Sequence, residues 1–100
     1  MSTLVTEREV FAESVQFTDD SMTVHLDDGR SLSVPVAWYP RLLHGTKQER
    51  EKYELIGEGE GIHWPDLDED ISVEGLLAGK RSAESDKSLQ RWLAKRQKTS

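Results

Sequence analysis

The chain has 100 residues, of which 35% are hydrophobic and 32% charged, enough for one small domain with a modest core. Cysteine is absent, which excludes disulfides, thiolate metal sites and a cysteine nucleophile. The formal net charge of −6 opposes non-specific attraction to nucleic acid or anionic membranes.

From the N-terminus, the polar start MSTLVTEREV has neither the basic flank nor the apolar stretch of a signal peptide, and no apolar run is long enough to span a bilayer. The expected compartment is the cytoplasm. Val15 and Phe17, then Met22, Val24 and Leu26, then Leu32, Val34 and Val36 alternate with polar residues. This period of two predicts three antiparallel strands, roughly 13–18, 22–27 and 30–36, with one apolar face and one polar face bearing Gln16, Thr23, His25, Ser31 and Ser33. Thr18 to Ser21 forms the first turn, and Asp28-Gly29 suits the positive φ angles of a tight hairpin in the second.

Trp38 to Gly45 predicts one or two helical turns, with Pro40 near the start and Gly45 as the stop. Thr46 and Glu49 match a capping box for a short exposed helix over 47–52. Tyr53 to Ile56 reads as a strand leading into Gly57-Glu58-Gly59-Glu60-Gly61, and Ile62-His63-Trp64 as another strand stopped by Pro65. Asp66, Asp68, Glu69 and Asp70 read as a turn and helix approach, where an N-terminus favours negative charge. Ser72 caps a helix over Val73 to Ala78 that Gly79 ends. A polar linker and a final amphipathic helix, about Ser85 to Gln97, place Leu89, Trp92 and Leu93 on one stripe. The fold class is therefore α+β: an antiparallel β-meander of three to five short strands covered by short helices and the C-terminal helix. It divides into a domain over 1–79 and a basic helix over 80–100 packing on it or extending from it.

Charge is unevenly distributed. Residues 51–79 hold nine acidic side chains and one basic, and residues 80–100 hold seven basic and two acidic. The body is thus strongly acidic, and the last segment carries Arg81, Lys87, Arg91, Lys95, Arg96 and Lys98.

Few constellations carry chemistry. Asp66 to Asp70 resembles the opening of a calcium loop, but Ile71 and Leu77 stand where an EF-hand needs its turn glycine and bidentate carboxylate. His25, His44 and His63 have no short-spaced ligand partner, so no metal site or cofactor is expected. There is no GxSxG elbow, and the glycine run lacks a phosphate-loop lysine. The chain reads as a non-enzyme.

Two segments carry a resemblance. Phe17-Thr18-Asp19-Asp20 through Val34-Pro35-Val36-Ala37-Trp38-Tyr39-Pro40-Arg41-Leu42, with Gly61-Ile62-His63-Trp64-Pro65-Asp66-Leu67-Asp68-Glu69-Asp70-Ile71-Ser72-Val73-Glu74-Gly75-Leu76-Leu77, resemble the bacterial family called domain of unknown function 2442 over about residues 12–79. The resemblance implies a small α+β domain without catalytic activity. Relatives carrying the domain ahead of a helix-turn-helix module, or encoded beside a second small protein in toxin–antitoxin-like pairs, imply a sensing or partner-binding unit. After Gly79 only 21 residues remain, too few for a helix-turn-helix domain, so DNA reading does not carry over.

The leading expectation is a protein-interaction or regulatory module, antitoxin-like, acting as a monomer or homodimer. It would meet a basic protein partner, such as a neighbouring gene's product, through Glu58, Glu60, His63, Trp64, Asp66, Asp68, Glu69 and Asp70. A second reading is weak, salt-sensitive nucleic-acid binding through Lys87, Arg91, Lys95 and Arg96. A third is small-ligand or metal sensing at the acidic loop. Trp92 is expected to pack inward with Leu89 and Leu93.

Overall fold

The structure, a computed structural model, describes residues 9–99. The polar opening over residues 1–8 and the Lys98 side chain lie outside the described residues. Two three-stranded antiparallel meanders make up the fold, and each keeps its strands in chain order. The first contains β1 (Ala12–Phe17), β2 (Ser21–Leu26) and β3 (Ser31–Pro35); the second contains β4 (Glu54–Ile56), β5 (Gly61–Trp64) and β6 (Glu69–Ser72). A 3-10 turn (Val36–Trp38) and two short helices, α1 (Pro40–Leu43) and α2 (Lys47–Glu51), link the sheets. Helices α3 (Val73–Leu77) and α4 (Asp86–Thr99) follow. The α+β class stands as expected, with six strands in two sheets rather than three to five in one.

The first sheet obeys its sequence pattern. Met22, Val24 and Leu26 face the core from β2, opposite Val34 of β3. Ala12 and Val15 are both buried although three residues apart, because the β1 register shifts between Ala12 and Ser14. Such a bulge inserts one residue and returns the following side chains to the inner face. The second hairpin differs from expectation. Only Gly29 has positive φ, at 93°, and the Leu26 amide donates to the Arg30 carbonyl at 2.8 Å. Three residues therefore form the loop, with glycine at the left-handed position where a side chain is strained, in place of a two-residue Asp-Gly turn.

The capping box at the start of α2 is complete: Glu49 N–H donates to Thr46 Oγ1 at 3.1 Å and Thr46 N–H to Glu49 Oε1 at 2.8 Å. Ser72 Oγ caps α3 by accepting from the Gly75 amide. The acidic run corrects the reading of a simple helix approach, since Glu69 and Asp70 open strand β6 and pair with Trp64 and His63 of β5.

One core joins the two sheets. Ile62, Trp64 and Ile71 meet the first sheet, with Tyr39, Leu42, Leu67, Val73 and Leu76 filling in from the connections. Trp64 is fully buried, and Phe17 meets it edge-on with ring centroids 6.2 Å apart. Its indole N–H donates to the Arg50 carbonyl at 2.9 Å, so the buried polar atom is satisfied. Backbone also joins the sheets: Ala12 N–H donates to Gly59 O at 2.8 Å. Gly59 has φ 113°, and a Cβ there would lie 2.4 Å from the Ala12 carbonyl oxygen, so only glycine fits. No helix among the described residues is long and apolar enough to cross a membrane.

Candidate functional site

Strand pairing distributes the acidic segment over different surfaces. Alternation along β5 sends Ile62 and Trp64 inward and leaves Gly61 and His63 on the outer face. Register then aligns Glu54, His63 and Asp70 in one row across the sheet, and Ile56, Gly61 and Ser72 in the next. His63 Nδ1 and Asp70 Oδ1 are 2.5 Å apart. The hydrogen bond to the Asp70 carboxylate raises the His63 pKa above its ordinary value, and the charges of Asp70, Glu54 and Asp68 add to that.

The eight residues expected to meet a partner do not form one patch. Glu58 and Glu60 are exposed in the glycine turn. Asp66 pairs with Lys52 Nζ at 3.2 Å. Asp68, with φ 52°, and Glu69 turn toward Arg41, which donates to the Asp68 carbonyl at 3.1 Å. Glu69 is half-buried, and burial raises its carboxyl pKa. Trp64 must be removed from the contact set, because it has no exposed surface for a partner to touch.

A cleft of about 470 Å³ receives the Arg41 side of the run. There Asp68, Glu69 and Asp70 share the walls with Lys80 and Arg81 of the same chain. Tyr39 closes its base by donating its hydroxyl to the Lys80 carbonyl at 2.8 Å. Burial raises the Tyr39 pKa, and the Glu69 charge adds to the effect.

Asp70 also borders a groove of about 750 Å³, lined by Val10, Ile56, Gly61, Ile71, Val73 and Leu77 on its apolar side. Its polar side comprises Glu9, Glu60, Asp70, Ser72 and Glu74, and no lysine or arginine lines it among the described residues. Ile56 and Leu77 are each 44% exposed, high for large aliphatic side chains. Neither residue stood out in the sequence. Two-residue periodicity in β4 and the exposed last turn of α3 were the available signals.

The basic helix is held to the body by paired arginines. The Arg41 guanidinium grips Glu84 through Nε and Nη2, the shortest contact being 2.6 Å. Arg96 donates both Nη atoms to Glu49 at 2.8 and 3.1 Å. Trp92 lies between the two guanidiniums, 5.1 Å from Arg41 and 4.7 Å from Arg96 at the ring centroid. It is half-buried against the core, as its stripe with Leu89 and Leu93 implied. Arg96 therefore acts as a clamp between α4 and the body, its guanidinium pairing with Glu49 and lying over Trp92. Lys87, Arg91 and Lys95 remain exposed at four-residue spacing on one helical face. Among the described residues, no three His, Asp or Glu side chains converge to hold a metal ion.

A family model described as a protein of unknown function, DUF2442, matches residues 12–82. No curated protein matches the chain. A crystal structure of a protein of unknown function from Rhodospirillum rubrum is similar, with 26% identity, a TM-score of 0.67, and coverage of 77% of this chain and 95% of that one. The solution structure of an uncharacterized protein from Chromobacterium violaceum is similar at 25% identity and a TM-score of 0.65, covering 90% of this chain and 82% of the other.

Proposed function

The chain belongs to the DUF2442 family of proteins of unknown function, and from that premise, joined to the geometry of its second sheet, we propose that it is a non-enzymatic protein-interaction module. The outer face of β4–β6 receives a basic protein partner. The observation that carries this reading is the groove lined by four carboxylates and, among the described residues, by no lysine or arginine. Such a field attracts and orients a cationic protein surface and repels phosphate. In its finer form the proposal is antitoxin-like: the chain covers a basic surface on the product of a neighbouring gene and blocks it electrostatically and sterically. The same reading sets it in the cytoplasm, in keeping with a chain free of cysteine.

The test is co-purification of the neighbouring gene product with wild-type chain and with the triple variant Glu60→Lys, Asp70→Lys, Glu74→Lys. All three side chains are exposed, so the fold should persist by circular dichroism. Loss of co-purification supports the proposal, and unchanged recovery from the folded variant refutes it.

A second reading rests on the exposed face of Lys87, Arg91 and Lys95. It predicts a nucleic-acid mobility shift that weakens steeply with salt and disappears in the triple alanine variant. An unaffected shift removes this reading.

A further inference from the structure

We infer that the groove between the outer face of β4–β6 and α3 takes a basic amphipathic segment, with aliphatic side chains seated on Ile56 and Leu77 and lysine or arginine side chains reaching the surrounding carboxylates. This rests on the interaction reading above and names the chemistry of the partner at that site.

Both halves of the recognition are built into the surface. Ile56 and Leu77 come from different elements yet open on the same groove, each with 44% of its surface accessible. Gly61, also in the lining, lets Ile56 pack closely over the strand: a Cβ at that position would stand 3.2 Å from the Ile71 carbonyl oxygen and 3.3 Å from Ile56 Cδ1. Exposed apolar area of this kind gains from being covered, at about 25 cal/mol per Å².

The polar border decides what can cover it. Glu9, Glu60, Asp70 and Glu74 line the groove from four different stretches of the chain. An acidic segment or a nucleic acid would meet repulsion from all four, and a purely apolar segment would strip water from carboxylates without replacing it. Among the described residues, Arg41 and Arg96 are committed to Glu84 and Glu49, while Lys80 and Arg81 line the neighbouring cleft. No described lysine or arginine lines the groove, so its carboxylates suit cations brought by an occupant. Its volume of about 750 Å³ suits one or two aliphatic side chains with flanking charged stems. An amphipathic helix presents that pattern at i and i+4, the usual helix-in-groove mode.

The experiment titrates the full chain with a synthetic helical peptide carrying two leucines one turn apart among lysines, followed by calorimetry and amide chemical shifts. The expected result is salt-sensitive binding with the largest shifts at Ile56, Gly61 and Leu77. The double variant Ile56→Ser, Leu77→Ser should weaken binding about tenfold. Replacing the peptide leucines by serine should weaken it similarly. Binding that is indifferent to both changes, or shifts confined to the cleft around Lys80 and Arg81, overturns the inference. If the charge-reversed triple variant nevertheless loses the natural partner, the interaction reading survives while the amphipathic mode falls. If the partner still co-purifies with that variant, the interaction reading falls on its own evidence.

Discussion

The two sheets share a topology and differ in what their outer faces do. In the first, the face turned away from the core is polar and self-satisfied: His25 bridges Ser31 at 2.8 Å and Gln16 at 2.9 Å, and Thr23 meets Ser33 at 2.6 Å. In the second, the outer face carries a row of Glu54, His63 and Asp70 beside exposed aliphatic side chains. Strand length follows the same division, with six, six and five residues in the first sheet against three, four and four in the second. The longer meander resolves its polar groups internally, while the shorter one leaves charge and apolar area facing outward. Similar connectivity thus accompanies a self-paired polar face in one sheet and a charged, partly apolar face in the other.

The most severe way to break that division is to remove what fastens the sheets together. Trp64→Ala should cost about 3–5 kcal/mol, because a large fully buried side chain is deleted and the Arg50 carbonyl loses its donor. Urea unfolding measures it, and a loss below about 1 kcal/mol would show that the core closes around the cavity. Gly59→Ala should cost about 2 kcal/mol, since the new Cβ would clash with the backbone of Ala12 at a left-handed position. Its effect should appear equally in both sheets by hydrogen exchange. Protection lost in the second sheet alone would mean that the Ala12–Gly59 junction is not shared.

A smaller effect is expected where the acidic body holds the basic helix. The hydrogen bond from Arg96, aided by those from Thr46, pushes the Glu49 carboxyl down to about 2. A lowered folded pKa means that this clamp contributes in full above the ordinary carboxylate value and is lost as pH falls toward 2. Glu49→Gln should release about 1 kcal/mol of helix docking at neutral pH. The α4 amide shifts of the wild type should approach those of the variant only in acid. Convergence already at pH 6 would contradict the pairing.

His63 allows a finer test of the proposed binding face. Its pKa is raised, so its pair with Asp70 contributes below the ordinary histidine value and is lost as pH rises through the raised one. Deprotonation leaves the row of Glu54, His63 and Asp70 more negative. Binding of the lysine-rich peptide should therefore strengthen by about twofold on passing through that range, and His63→Phe should flatten the profile; a profile identical in both chains would remove His63 from the site. At the bottom of the scale, Ser33→Ala on the first sheet should change stability by less than about 0.5 kcal/mol and leave peptide binding untouched.

Much of this architecture is legible because the local pattern agrees with the fold. Alternation places β1 to β3 within one residue of their observed ends, and Thr46 with Glu49 specifies the capping box. Strand β6 is harder to see, since Asp and Glu disfavour strands and only Ile71 marks its inner face. Its pairing with β5 supplies what local preference does not. Trp64 misleads for a related reason. Flanked by His63, Pro65 and carboxylates it resembles a surface anchor, yet its parity with Ile62 already pointed inward. Ile56 and Leu77 lie 21 positions apart in sequence, and only the packing of α3 beside β4–β6 brings them to one groove. Arg41 likewise acquires its role from partners distant in the chain, Glu84 and Trp92.

The placement of the three tryptophans also makes the chain its own optical instrument. Trp64 is sealed in the core, Trp38 lies under the Arg81 guanidinium at 4.6 Å, and Trp92 is held between two arginines. Intrinsic emission from single-tryptophan variants should therefore separate three events without added dyes: exposure of Trp64 to soluble quenchers reports the opening of the core, Trp92 reports the release of the helix, and Trp38 reports movement of the segment that joins them.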